Sequence, residues 1–290
     1  MVEARPNVGR KPQAALRAMP LRCGSAIRMS RREAVPRARF PTLVGVFHVS
    51  FYRFVAIEDP AYLREQLLAI TEDLLGTILV AHEGVNGMLS GAAHELDAFE
   101  AAFRSPDLLG GAFADIAFTR TVCDVAPFRR RKIKVKSELV PLDVDGIDVP
   151  SRRADIAASD VDAAGWRALL RRDDVVIVDN RNSFEFGHGH FVGAIDPGIV
   201  DFCDFAAYVR ANAEEWRATG KTIAMYCTGG IRCEKSSPWM QDLGLTVRQL
   251  RGGIVSYLAE TADAAQDWSG DCFVFDDRCL LDARLESTSS

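Results

Sequence analysis

Ile223-Ala224-Met225-Tyr226-Cys227-Thr228-Gly229-Gly230-Ile231-Arg232 decides the fold. An apolar run of buried-strand type, 222–226, ends at a cysteine. A short loop with two glycines and an arginine follows, and then a helix over 234–243. In open α/β sheets, sites form at the carboxyl ends of the strands. Gly229 and Gly230 reach backbone angles closed to other residues, so several loop amides can point at one centre. Those amides, the helix N-terminus and Arg232 would stabilise negative sulfur. That lowers a thiol pKa and makes Cys227 a candidate nucleophile, and the same cradle would hold a terminal persulfide anion. A lone strand-end cysteine is more often an inert, buried small hydrophobe. The two glycines, the arginine and the helix start set Cys227 apart. Cys233 is expected to pack, with resolution of an oxidised Cys227 as the alternative. The other five cysteines have no comparable setting.

Working outward, strands and helices alternate. Ser159 reads as an N-cap for a helix carrying Trp166, Leu169 and Leu170. Residues 175–178 read as a buried strand, 202–216 as a helix, 247–250 as a strand and 254–260 as a helix. This pattern predicts a mostly parallel sheet covered by helices. Upstream, 44–57 reads as a strand. Asp59-Pro60 starts a helix with Leu63, Leu67, Ile70 and Leu74 at helical spacing, and Gly76 is the expected stop. Residues 77–81 form a strand, 82–87 a turn and 88–90 a return strand. Leu96, Phe99 and Phe103 mark a second helix, and 116–122 closes the pattern. The order β-α-β-β-α-β predicts a split βαβ, ferredoxin-like domain.

The expected organisation is a leader over 1–42, a ferredoxin-like (acylphosphatase-like) α+β domain over 43–122 and a basic connector over 123–158. A doubly wound parallel-sheet domain over 159–268 and a tail over 269–290 complete it. The leader holds nine Arg and one Lys against Glu3 and Glu33, so it is strongly basic. It resembles an organelle transit peptide. A disordered basic arm, or upstream sequence ahead of a later start at Met19 or Met29, are the competing readings.

The whole chain of 290 residues carries a net charge of -5, with 48% apolar and 26% charged residues. These proportions exclude a disordered or low-complexity chain. No run of about 18 apolar residues occurs, so no membrane partner is expected. The acidic body argues against a diffusely basic nucleic-acid binder, and DNA is not expected as a partner. Arg129, Arg130, Arg131, Lys132, Lys134 and Lys136 nevertheless place six positive charges in eight residues. On a strand the three lysines would share one face, with Ile133 and Val135 on the other. They form either an anion-attracting surface or a solvated edge strand. The odd cysteine count and the lack of an export signal argue against a disulfide framework, and without a CxxC no metal site is expected.

Asp179-Asn180-Arg181 through Glu185-Phe186 and Gly189-His190-Phe191-Val192-Gly193-Ala194-Ile195, Cys227 to Arg232, and Leu250-Arg251-Gly252-Gly253-Ile254 together resemble the three signatures of the rhodanese family. That resemblance implies a doubly wound α/β domain that passes sulfur through a cysteine persulfide. The six-residue loop Cys227, Thr228, Gly229, Gly230, Ile231, Arg232 matches the sulfur-handling class rather than the longer-looped dual-specificity phosphatases. It also implies a structural role for the Asp179 and Arg181 pair, and His190 is expected to be structural.

Further motifs widen the match: Phe51-Tyr52-Arg53-Phe54, Ala81-His82-Glu83-Gly84-Val85-Asn86-Gly87, Lys132-Ile133-Lys134-Val135-Lys136, Cys227 through Lys235, and Asp271 through Arg278. In this order they resemble the bacterial tRNA uridine hydroxylases of the TrhO (YceA-like) type over about 43–280. That resemblance implies an oxidoreductase performing oxygen-dependent hydroxylation of the wobble uridine to 5-hydroxyuridine. Molecular oxygen is the implied co-substrate, tRNA the partner, Cys227 the persulfide-bearing residue and the cytoplasm the location. No cofactor motif is identified. With tRNA as substrate, the basic run 129–136 is expected to contact phosphates. His82 and Glu83 are either turn residues or part of the site. A sulfurtransferase using the same Cys227 is the alternative function.

Overall fold

The computed structural model describes residues 45–123 and 126–288. The leader expected over 1–42 lies outside the described residues. Strand β1 (Val46–Phe54), helix α1 (Pro60–Ile70), strands β2 (Leu75–Ala81) and β3 (Gly84–Gly91), helix α2 (Ala93–Phe103) and strand β4 (Thr119–Cys123) follow in the expected order. Strand β5 (Arg131–Val135) comes next, and the sheet order is β4-β1-β3-β2-β5. Helix α1 starts because the Asp59 carboxylate accepts the amides of Ala61 and Tyr62, with Pro60 in the first turn. Leu63 and Leu67 of α1 and Leu96, Phe99 and Phe103 of α2 bury against Val49, Phe51, Ile78, Val80, Val85 and Leu89 of the sheet. The apolar period switches from helical to alternating as the chain passes between the layers.

Three expectations in this half change. Helix α1 ends at Ile70, where Thr71 turns its hydroxyl onto the Leu67 carbonyl at 2.7 Å. Gly76 therefore lies inside β2, not at a helix end. The turn expected over 82–87 is only His82-Glu83, because Gly84 to Gly87 already pair with β1 and β2. The basic run expected in a connector is β5, an edge strand parallel to β2. Ile133 faces the core, whereas its expected companion Val135 is 45% exposed because it lies beyond the helical cover.

The second half contains α3 (Arg153–Ser159), β6 (Asp160–Val161), α4 (Ala163–Leu169), β7 (Val175–Asp179), α5 (Ser183–His188), β8 (Gly189–Phe191), α6 (Phe205–Ala218), β9 (Thr222–Tyr226), α7 (Ile231–Asp242), β10 (Thr246–Leu250) and α8 (Gly253–Glu260). Short strands β11 (Trp268–Gly270), β12 (Cys272–Phe273) and β13 (Leu280–Leu281) follow. The order β6-β10-β9-β7 is parallel throughout, with β9 in the interior. One face packs Val178, Ile223, Met225 and Val247 against Phe205, Val209, Trp216 and Met240. The other packs Ile177, Ala224, Tyr226 and Leu250 against Trp166, Ile254, Tyr257 and Leu258. Strand β9 is thus buried on both faces, as its unbroken apolar run requires.

Ser159 is not an N-cap but the last residue of α3. Asp162 caps α4 instead, accepting the Gly165 amide at 2.8 Å. Helix α7 begins at Ile231, three residues before the expected start, so the arginine of the loop already lies in its first turn. Phe54, Ala81, Leu139, Val149 and Ile156 form a buried cluster joining the two halves. Both halves belong to one compact unit.

Candidate active site

Cys227 follows β9 directly, at the carboxyl edge of the parallel sheet, and is 2% exposed. The Gly230 amide donates to its Sγ at 3.0 Å. Gly230 holds a left-handed φ of +98°, which turns that amide inward and starts α7. A side chain there would also meet the Tyr52 hydroxyl at 2.7 Å. The turn after β10 clamps the loop from the other side. The Ile254 amide donates to the Cys227 carbonyl at 2.9 Å, and the Val255 amide to the Thr228 carbonyl at 3.1 Å. Gly253, at φ +68°, is the residue that permits this approach, because an added Cβ would lie 2.5 Å from the Cys227 carbonyl oxygen. The motif Arg251 to Ile254 is therefore the back wall of the loop.

Burial alone would push the Cys227 thiol up. A hydrogen bond from Cys233, the Arg232 charge and the amides of Arg232 and Gly230 together outweigh it and lower the thiol to about 6. Burial and the bond to Cys227 push the Cys233 thiol well above its ordinary range, and its Sγ lies 3.7 Å from Asn180 Oδ1. The two cysteines thus divide into a thiolate and a thiol that supports it. We expect the rate of Cys227 alkylation by iodoacetamide to rise through a midpoint near pH 6 and then level off. Arg232→Ala should move the midpoint upward, and the pH profile of the rate, with peptide mapping, measures both. A midpoint at the ordinary thiol value in the wild type would contradict this geometry.

Arg232 is fixed by Glu185, whose carboxylate is fully buried 2.8 Å from it. Glu185 also accepts the Asn182 amide at 3.1 Å and so caps α5. Beneath lies the Asp179–Arg181 pair, both side chains wholly buried. Arg181 donates to Asp179 at 2.6 and 2.9 Å and to the Gly189 carbonyl at 2.6 Å. This ties the end of β7 to β8. His190 stacks on Phe186 at 4.0 Å and bonds the Phe186 carbonyl.

The first half of the chain also reaches this site, a feature that sequence spacing did not reveal. Tyr52 of β1 donates to Glu234 at 2.6 Å, directly after the loop. Burial raises the Glu234 carboxyl to about 7 despite that bond. Buried Lys235 pairs with Glu83 of the β2–β3 turn and, at 3.0 Å, with Glu138. Glu83 also accepts the Leu139 amide at 2.7 Å. It therefore anchors α7 to the first sheet, while His82 bonds the Ile57 carbonyl. The adjacent Glu234-Lys235 was the signal available in sequence, since two charges just after a buried loop need partners.

The basic residues separate into two kinds. Arg129 pairs with Asp277 at 3.0 Å, and Arg131 donates to the Leu68 carbonyl at 2.9 Å. Arg130, Lys132, Lys134 and Lys136 are exposed, and among the described residues no acid pairs with them. Also among the described residues, no group of three His, Cys, Asp or Glu gathers as metal ligands would, and no helix is long and apolar enough to cross a membrane.

A parallel sheet ending in an amide-cradled, acidified cysteine, braced by a buried Asp–Arg pair, defines a rhodanese-type domain. Residues 163–260 match the rhodanese-like domain family, and residues 46–139 match the UPF0176 acylphosphatase like domain. A protein of Bradyrhizobium diazoefficiens named tRNA uridine(34) hydroxylase is 39% identical over 235 residues, 80% of this chain and 90% of that one. Proteins of the same name from Acinetobacter baylyi and Legionella pneumophila are 40% and 38% identical over 82% of this chain, covering 73% and 91% of theirs. The chain belongs to the tRNA uridine(34) hydroxylase family.

Proposed function

We propose that this protein hydroxylates uridine 34, the wobble uridine of tRNA, to 5-hydroxyuridine, with Cys227 as the reacting cysteine. The observation that carries the chemical half is the acidified, cradled Cys227 thiolate. The relatives named tRNA uridine(34) hydroxylase carry the substrate half. The cradle suits a persulfide anion as well as a thiolate, since both present negative sulfur to the same amides. Molecular oxygen is the co-substrate in this reading. One oxygen atom enters the base as a hydroxyl and the other leaves as water, so turnover also consumes two electrons and two protons. The reading places the protein in the cytoplasm, with its substrate. A sulfurtransferase would use the same thiolate, but the relatives do not favour it. Brisk thiocyanate formation from thiosulfate and cyanide, without any tRNA product, would be its signature.

The exposed basic residues of β5 supply the tRNA contact in this reading. An edge strand with Lys132, Lys134 and Lys136, which have no acidic partner among the described residues, offers point charges to phosphates without disturbing the core. Replacing all three by alanine should weaken tRNA binding and reduce the slope of log K against log salt by about two to three. Fold and Cys227 alkylation should stay unchanged. A filter-binding salt series measures the slope, and an unchanged slope would remove β5 from the interface.

A further inference from the structure

Phe275 is 50% exposed and Phe184 of α5 is 46% exposed. Phe273 lies between them, with ring centroids 5.1 Å from Phe275 and 5.0 Å from Phe184, both edge to face. The three rings form one contacting aromatic cluster, with Phe184 and Phe275 half exposed at its two ends. The cluster adjoins the cysteine loop, because the Arg232 guanidinium lies 5.7 Å from the Phe275 ring centre. Arg232 is also the charge that helps lower the Cys227 thiol. The other end is tied in as well. Phe184 precedes Glu185, the partner of Arg232.

Half-exposed phenylalanines are ordinarily held loosely, yet the turn that carries Phe275 is strapped down. The Val274 amide donates to the Cys279 carbonyl at 2.9 Å, and the Cys279 amide to the Asp276 carbonyl at 3.1 Å. Arg278 donates to Asp276 at 2.6 Å and to Thr121 of β4 at 3.1 Å. The Asp277 amide donates to the Pro127 carbonyl at 3.1 Å. The turn is therefore fixed to the first sheet and presents Phe275 in one place. A pre-placed aromatic face costs little ordering entropy when a flat partner lands on it.

We propose that Phe275 and Phe184, with Phe273 between them, form a stacking platform for an unpaired nucleobase next to the uridine that reacts at Cys227. The proposal rests on the tRNA-modifying reading and adds to it the recognition of the anticodon loop. Stacking on an aromatic ring is tolerant of base identity because every base has a π face. The platform therefore fixes the position of the loop and leaves the choice of base to the pocket at Cys227. The basic strand binds the backbone, and the platform presents the splayed loop to the sulfur.

The test uses the full chain and an anticodon stem-loop carrying 2-aminopurine beside position 34. Stacking quenches this fluorophore. The wild type should quench it on binding. Phe275→Ala should lose most of the quench and weaken binding by about tenfold, the order expected for one stacked base. Phe275→Trp should restore both, and Phe184→Ala should give a smaller loss. Unchanged far-UV circular dichroism and thermal midpoint in each variant show that the fold is intact. Quenching and affinity that survive Phe275→Ala together with Phe184→Ala would overturn the platform, as would a wild type that binds without quenching. Nucleoside analysis of tRNA from cells separates this from the underlying reading. Quenching lost with Phe275→Ala but no uridine hydroxylation by the wild type would retain the platform and reject the hydroxylase. Hydroxylation with no change in the variants would do the reverse.

Discussion

Asp179→Ala lowers the stability of the protein by about 3–5 kcal/mol, the largest effect expected of any single polar substitution here. Asp179 and Arg181 are both wholly inaccessible to water, and their pairing is two-pronged. Removing the carboxylate leaves a guanidinium buried between Tyr226 and Trp268, whose ring centres lie 5.8 and 5.6 Å from it. Those aromatic faces and the Gly189 carbonyl, 2.6 Å from Arg181 Nη2, cannot replace a full negative charge. The end of β7 then loses its tie to β8. Thermal unfolding should fall by roughly 10 °C, at a few degrees per kcal/mol for a chain of this size. Asp179→Leu with Arg181→Met removes both charges and keeps the volume, so it should lose far less than the single variant. Denaturant melts of the three proteins measure the difference, and equal losses would mean that the pair matters through packing alone.

Cys227→Ser should reduce 5-hydroxyuridine formation at least about a thousandfold, whereas Cys233→Ser should retain much of it. Serine at 227 keeps the shape of the loop but cannot ionise near neutral pH or carry sulfur. Position 233 has a different task. Its thiol donates a hydrogen bond that helps hold Cys227 as thiolate, and a serine hydroxyl donates in its place. Cys233→Ala lacks the donor and should raise the Cys227 midpoint. Complementation of a deletion strain, read by nucleoside mass spectrometry, compares the variants. Equal loss from Cys227→Ser and Cys233→Ser would point instead to a two-cysteine redox cycle.

The cysteine loop is legible because its signals are local. Strand β9 is an unbroken apolar run, the cysteine ends it, and Gly229-Gly230 announces the turn. Helices α1 and α2 are legible for the same reason, through Asp59-Pro60 and through apolar residues at helical spacing. The errors lie where structure depends on distant partners. Strand β6 has only two residues and no period of its own, so the sequence pattern puts the helix start at Ser159 rather than Asp162. The edge-strand reading of the basic run stays one of two until β2 is there to pair with β5. Val135 alternates correctly but runs past the helices that cover Ile133.

Distant partners also shape the site. Tyr52 and Glu83 each sit in a motif singled out by resemblance, yet nothing in their neighbourhood says that they reach Glu234 and Lys235 across the chain. Arg232 was read as a cation for sulfur, but its orientation comes from Glu185 on a separate helix. Individual groups were visible in sequence. Their mutual fixing, through Glu185 on Arg232 and Tyr52 on Glu234, arises only when separate parts of the chain meet.

The most direct test of the hydroxylase reading is nucleoside mass spectrometry of tRNA from cells that lack both this protein and any parallel hydroxylation route. Uridine 34 should then carry no 5-hydroxyuridine, and expression of the wild-type chain should restore it. Fully hydroxylated uridine 34 in those cells would contradict the account.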